Sequence, residues 1–151
     1  MSKVENRESM AKTESPVMEA RQTATADVPP PADWQPGPFE HERLHAYGVA
    51  KQALVEGDRL ARRLPRGYAT LADQLRRALL SAYLGVAEAA SRAGADRLAR
   101  FRCARGEASE AAAALAAVSA LGLMPGHEVQ ATVRLLGRLC AMLTRLCRPS
   151  A

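Results

Sequence analysis

Between Gln74 and Glu88 the chain reads Gln-Leu-Arg-Arg-Ala-Leu-Leu-Ser-Ala-Tyr-Leu-Gly-Val-Ala-Glu, and this stretch limits the folds open to it. Wound at about 100° per residue, Leu71, Leu75, Leu79, Ala82, Val86 and Ala89 gather on one side, the stripe of a core-facing helix. Leu80 and Leu84 lie one turn apart and point well away from that stripe. A helix buried on one face only leaves them in water, so a second body must cover them. The candidates are a neighbouring helix of the same bundle and another subunit, and this helix is expected to touch both.

Three more segments carry helical periodicity. Phe39, Leu44, Tyr47, Ala50, Leu54, Leu60 and Leu64 predict a first long helix, ended by Pro65, with a turn at Arg66-Gly67. The second, built on the stretch above, runs from about Tyr68 to Arg92 and is capped by Ala93-Gly94. Asp96 favours the next N-terminus. In the third, Leu98, Phe101, Ala104, Ala108, Ala112, Leu115 and Ser119 share a side, ending at Leu121-Gly122. Most of these are alanines, which let helices approach closely, so this helix is expected in the middle of a bundle. The fourth follows Pro125-Gly126 and runs to about Cys147, with Val129, Val133, Leu136, Leu139, Cys140, Leu143 and Cys147 on one half of the wheel. Arg134, Arg138 and Arg145 fall within about 40° of each other on the other half. Four amphipathic helices joined by short turns predict an all-α, antiparallel up-down four-helix bundle over residues 39–151.

Residues 1–38 have no apolar period and include Pro29-Pro30-Pro31 and Pro36-Gly37-Pro38, which predicts a disordered tail. The tail is acidic, with four cations against six carboxylates, and holds the protein's one tryptophan, Trp34. Trp34 packs on the end of the bundle, serves the linker, or docks a partner. Residues 39–151 carry seventeen cations against ten carboxylates, and all but Lys51 of those cations are Arg. Arg suits bidentate contact with phosphate, so a polyanionic partner fits this part of the chain. Three clusters form the candidate nucleic-acid surface: Arg59, Arg62, Arg63 and Arg66; Arg97, Arg100, Arg102 and Arg105; and Arg134, Arg138 and Arg145. Aromatics make up only 4% of the chain, which argues against base-by-base stacking along a single strand.

No catalytic constellation emerges. His41-Glu42-Arg43-Leu44-His45 satisfies the His-Glu-x-x-His pattern of zinc peptidases, but a zinc site needs a third ligand and a cleft, and the remaining histidine is His127. Surface histidines, with no metal and no cofactor, are the expectation. Ser81, Ser91, Ser109 and Ser119 have no evident histidine partner, and Glu88, Glu107 and Glu110 read as members of interhelical ion pairs. Cys103, Cys140 and Cys147 form neither an even disulfide set nor a CxxC pair and are expected as reduced, buried thiols. With no segment of about 18 apolar residues, the chain reads as cytoplasmic, with no membrane partner.

Phe39, Leu64-Pro65, Leu71-Ala72-Asp73-Gln74-Leu75-Arg76-Arg77-Ala78, Gly85-Val86-Ala87-Glu88, Phe101 through Glu110 and Leu121-Gly122-Leu123 follow one another in an order that resembles the small four-helix-bundle proteins of bacteria. That family includes proteins encoded in intervening sequences of large-subunit ribosomal RNA genes and the accessory variability determinant of diversity-generating retroelements. The family's Gln-Leu-Arg-Arg-Ala is met by Gln74 to Ala78, and Ser81 matches its Ser. Its Asn-Ile-Ala-Glu-Gly run reads Gly85-Val86-Ala87-Glu88-Ala89 here, and its Ala-x-Gly-Ser-x-x-Glu pattern is met by Ala104, Gly106 and Glu110 with Glu107 in place of Ser. The resemblance implies a homo-oligomer, typically a pentamer, with no known enzymatic activity. In the retroelement branch it implies a basic surface that engages a reverse transcriptase and its RNA. The expected function is therefore a non-enzymatic oligomeric scaffold, with Leu80 and Leu84 at the subunit interface. The alternative is a protein-interaction module that recruits partners through its tail and binds no nucleic acid.

Overall fold

The computed structural model describes residues 37–148; Trp34 and the rest of the acidic segment before Gly37 lie outside it. Four helices make up most of the described chain: α1 (His45–Ala61), α2 (Ala69–Ala90), α3 (Gly94–Ala120) and α4 (Gly126–Leu146). Short 3-10 turns at Glu40–Arg43 and Arg66–Tyr68 lead into α1 and α2, and there is no strand among the described residues. Each helix packs on its neighbours in the chain, and α1 closes the ring against α4, while the backbones of the diagonal pairs stay apart.

Cross-helix contacts run in opposite directions along every pair. Tyr47 and Asp58 of α1 meet Tyr83 and Arg76 of α2, and Gln74 and Gly85 of α2 meet Glu110 and Ala104 of α3. Likewise Leu98 and Ser109 of α3 meet Cys147, at the end of α4, and Cys140. Arg63, just past α1, meets Glu128 at the start of α4. The chain is an antiparallel up-down four-helix bundle.

Local chemistry explains where the helices stop. Gly122 has φ +67, a left-handed conformation that a Cβ would strain, and it ends α3. There Gly122 N–H donates to the Ser119 carbonyl and Leu123 N–H to the Val118 carbonyl, both at 3.0 Å. This double reversal satisfies carbonyls that the helix end would orphan and turns Leu123 back onto the core. Gly94, with φ +55, makes the other sharp junction, between α2 and α3.

Two expectations about the helices need correction. The first helix does not start at Phe39: Glu40–Arg43 is a 3-10 turn, Leu44 is extended (φ −89°, ψ 121°), and α1 begins at His45. The Phe39 N–H donates to Glu42 Oε2 at 2.9 Å, which closes this turn on itself and separates it from the helix. Nor is α3 central, because in a closed ring of four helices each has two neighbours. Its buried face runs through Phe101, Ala104, Ala108, Ala111, Ala114, Leu115 and Val118, leaving Ala112 and Ser119 at the margin. Repeated steps of four residues drift by about 40° each, so a stripe counted in fours walks off the core.

Small and large side chains divide the interior between them. α3 supplies alanines, while Leu75, Leu79 and Val86 of α2 and Leu136, Leu139 and Leu143 of α4 supply bulk around the buried Phe101. α2 and α3 approach closely at Gly85, where a Cβ would stand 3.1 Å from Ala104 Cβ. Gly85→Val is therefore expected to destabilise by about 1–3 kcal/mol through overpacking. By contrast Gly106→Ala, where a Cβ meets nothing within 4 Å, should stabilise by up to about 1 kcal/mol. Urea unfolding followed by circular dichroism at one protein concentration checks both signs.

Candidate nucleic-acid interface and assembly face

Helical periodicity isolates Leu80 and Leu84, and the bundle leaves them uncovered, at 47% and 46% exposure. No helix among the described residues packs over them. Val55 of α1, missed from the sequence, is 60% exposed and stands across a cleft from Leu80. The cleft holds about 380 Å³ and is lined by Leu54, Val55, Asp58, Arg76 and Leu80. The signal that marks Leu80 marks Val55 too, since it also lies off its helix's core stripe. Asp58 closes the cleft at one end, accepting from Arg62 Nε at 2.7 Å and Arg76 Nε at 3.0 Å. These two donors, Arg62 foremost, hold the Asp58 carboxyl below its ordinary range.

The eleven Arg side chains of the three clusters divide by partner. In the first, Arg59 pairs with Glu56, Arg62 with Asp58 and Arg63 with Glu128, while Arg66 faces solvent without a carboxylate partner among the described residues. The second is also split. Arg97 Nη1 donates to the carbonyl of Ala90 at 3.1 Å and its guanidinium lies 5.2 Å from the Phe101 ring centroid, so it closes the C-terminus of α2. Arg100 Nε stands 2.5 Å from Glu88 Oε2 across the α2–α3 seam. Arg105 reaches Thr144 of α4 at 3.3 Å, and exposed Arg102 has no carboxylate partner among the described residues. In the third cluster Arg134 and Arg145 are exposed and Arg138 is half-buried, all on the outer side of α4.

Arg134, Arg138 and Arg145 lie on the outer side of α4, and Arg105, by reaching Thr144, places itself and the neighbouring Arg102 on the α3–α4 side of the bundle. In a ring ordered α1, α2, α3, α4 that side lies opposite the apolar α1–α2 side. The first cluster sits apart, at the end where α1 and α4 meet. Of the glutamates expected in interhelical ion pairs, Glu88 fits, Glu110 accepts from the Gln74 amide instead, and no ion pair involves Glu107 among the described residues. Of the thiols expected to be buried, Cys147 is buried and Cys140 half-buried, but Cys103 is exposed because it lies off the core face of α3.

The histidine motif loses its premise. His41 is in the 3-10 turn and His45 opens α1, with extended Leu44 between them, so the two do not share a helical face four residues apart. Among the described residues no three His, Cys, Asp or Glu side chains converge as metal ligands. His41 instead joins a ladder of rings. It stacks on Phe39 (centroids 5.5 Å apart, planes at 6°) and tilts against Tyr47 at 4.6 Å, which in turn stacks on Tyr83 at 4.8 Å. The ladder ties the N-terminal turn across α1 to α2. No described helix is long and apolar enough to cross a membrane.

Neither a search of protein-family models nor one of curated proteins finds a match to this chain. The resemblance to the bacterial four-helix-bundle proteins therefore rests on the sequence motifs that carry it.

The two tyrosine hydroxyls at the end of the ladder bond to each other, and this bond, with burial, pushes Tyr47 from 10.0 up to about 12. A proton held more tightly in the folded state stabilises fully below pH 10.0, and that contribution is lost as pH rises through about 12. Tyr83→Phe removes the leading cause, so Tyr47 should then ionise nearer 10.0. An ultraviolet phenolate titration of the variant against the parent reads the shift; an unmoved high-pH midpoint would assign it to burial instead.

Proposed function

We propose that the chain is a non-enzymatic helical scaffold that self-associates through its α1–α2 face and binds RNA or another nucleic acid through its α3–α4 face. The observation that supports this most is the separation of the two surfaces: Leu80 and Leu84 lie on the α1–α2 side of the ring, Arg102 and Arg105 on the α3–α4 side, and Arg134, Arg138 and Arg145 on the outer side of α4. Burying the apolar side against another copy leaves the basic side open. Guanidinium groups on rigid helices meet phosphate in bidentate fashion, and each neutralised phosphate releases counterions, so such binding weakens steeply with salt. The resemblance adds a five-membered ring and a protein partner such as a reverse transcriptase, and these, with the cytoplasmic setting read from the apolar pattern, belong to the proposal.

A second reading has its own support. Arg59, Arg62, Arg63 and Arg100 are held by carboxylates, as expected of a surface that uses its arginines for its own packing. On that reading the bundle is a protein-interaction module, partner capture depends on the tail around Trp34, and nucleic acid is not bound.

Light scattering with and without a structured RNA separates the two. The scaffold reading expects an oligomer that gains RNA mass at low salt and loses it as salt rises. Leu80→Glu with Leu84→Glu should give a helical monomer. Arg102→Glu with Arg134→Glu should leave assembly intact, weaken RNA binding at least tenfold, and flatten the salt slope by about one for each phosphate that is no longer neutralised. Wild-type protein that ignores RNA at low salt would favour the interaction module.

A further inference from the structure

The outer face of α2 carries charges of opposite sign at matching distances from its apolar middle. Leu80 and Leu84, 47% and 46% exposed, form that middle, four positions apart. Arg77 and Glu88 stand on either side of them along the helix, eleven positions and about 16.5 Å apart at 1.5 Å per residue, too far to pair within one chain. Eleven steps of about 100° bring the two to within about 20° of each other around the helix. Both therefore lie on the α3 flank of the leucines, where Glu88 meets Arg100. The midpoint of Arg77 and Glu88 falls between residues 82 and 83, and that of the leucines at residue 82. One axis thus serves both pairs. We infer that two copies associate with their α2 helices antiparallel across a two-fold axis level with Ala82, each Leu80 on the partner's Leu84 and each Arg77 on the partner's Glu88. This rests on self-association through the α1–α2 face and fixes the geometry and the charged residues of that contact.

Both charged groups are disposed for it. Arg77 is exposed, donates to the side-chain oxygen of Gln74, and has no carboxylate partner among the described residues. The Glu88 side chain is 46% exposed, and Arg92 and Arg100 both approach its Oε2, at 3.8 and 2.5 Å. A carboxylate has about four lone-pair sites, so it can receive a third guanidinium. A lone exposed pair contributes little, but symmetry repeats this one on either side of an apolar centre that shields it from water. The rest of the face agrees. Antiparallel pairing brings Asp73 level with the partner's Ser91 and Arg92. Arg76, which Asp58 and Asp73 hold at 3.0 and 3.6 Å, comes level with the partner's half-buried Ala87, so no like charges meet along α2.

Other contacts fit the leucines less well. Parallel pairing sets Arg77 on Arg77 and Glu88 on Glu88. A head-to-tail contact needs a second apolar patch on another side of the bundle. Among the described residues the remaining large exposed apolar side chains are Val55, beside Leu80, and Phe39, Tyr68 and Leu121, which lie in turns at the ends of the bundle. An isologous contact needs only the one patch and closes at two copies. Any ring that uses this face then holds an even number of chains, five pairs where the ring has five members.

Sedimentation equilibrium of the full-length chain at low ionic strength tests the axis by charge reversal. Arg77→Glu, at an exposed position outside the core, and Glu88→Arg should each weaken self-association about tenfold or more with helicity unchanged, because each sets like charges face to face twice in every pair. An equimolar mixture of the two variants should recover association, since each then meets opposite charge at both positions, and the double variant should associate alone as the parent does. Arg77→Glu decides by itself if loss of the Arg100 contact lowers the helicity of Glu88→Arg. Association that Arg77→Glu leaves unmoved would overturn the inference, as would a mixture of folded variants no tighter than either alone, or a wild-type assembly of odd number. A wild-type chain that stays monomeric would overturn it together with the self-association on which it rests. RNA binding does not enter the readout, so its failure is a separate result.

Discussion

The close approach of α2 and α3 governs this bundle. Gly85 lies against Ala104, and α3 presents Ala108, Ala111 and Ala114 along the rest of its inner face. Between Phe101, Leu115 and Val118 the inner face of α3 adds little bulk, so much of the core volume comes from the leucines of α2 and α4. Packing interiors to organic-crystal density leaves no latitude here. With the inner positions of α2 committed, Leu80 and Leu84 have no way in, and they stay on the surface because the interior is already full. Gly57 repeats the constraint between α1 and α2, where a Cβ would strike a methyl of Leu79.

The exposed ion pairs contribute less than the number of arginines suggests. Pairs such as Arg59–Glu56 and Arg92–Asp96 are solvent-exposed and contribute less than about 1 kcal/mol each. They alter the surface more than the stability. Arg63–Glu128 and Arg100–Glu88 fasten one helix to the next and neutralise charge at those seams, while α4 carries no acid beyond its first turn. The run of arginine letters from Arg59 to Arg66 is thus partly neutralised, whereas the arginines of α4 beyond its first turn have no acid on their own helix.

What was legible in the sequence follows from these constraints. The ends of α2 and α4 could be read from the Gly and Pro that bound them, and the exposure of Leu80 because leucine burial has a strong period. The phase of α3 could not be fixed closely: much of its 27-residue length is alanine, a side chain nearly indifferent to which side of a helix it occupies. The break at Leu44 was hidden because Phe39, Leu44 and Tyr47 fit a helical spacing, and only the Glu42 hydrogen bond reveals a separate turn. Arg62 with Asp58 is a four-residue pair visible in the letters, whereas Arg63 with Glu128 spans 65 positions and needs the topology. The sorting of the candidate arginines into paired and open ones belongs to tertiary structure.

On the scaffold reading, assembly and binding are linked through number. One bundle presents a single basic face, with exposed Arg66, Arg102 and Arg134 among the arginines that have no carboxylate partner among the described residues, and one such face holds a polyanion weakly at physiological salt. Repeating the same face around a ring makes each later contact intramolecular, which multiplies affinity without a new interaction. The exposed leucines then serve the binding face indirectly. They lower the solubility of a single copy and gain their use by presenting several basic faces at once, an arrangement open only to a bundle whose apolar and basic sides point in opposite directions.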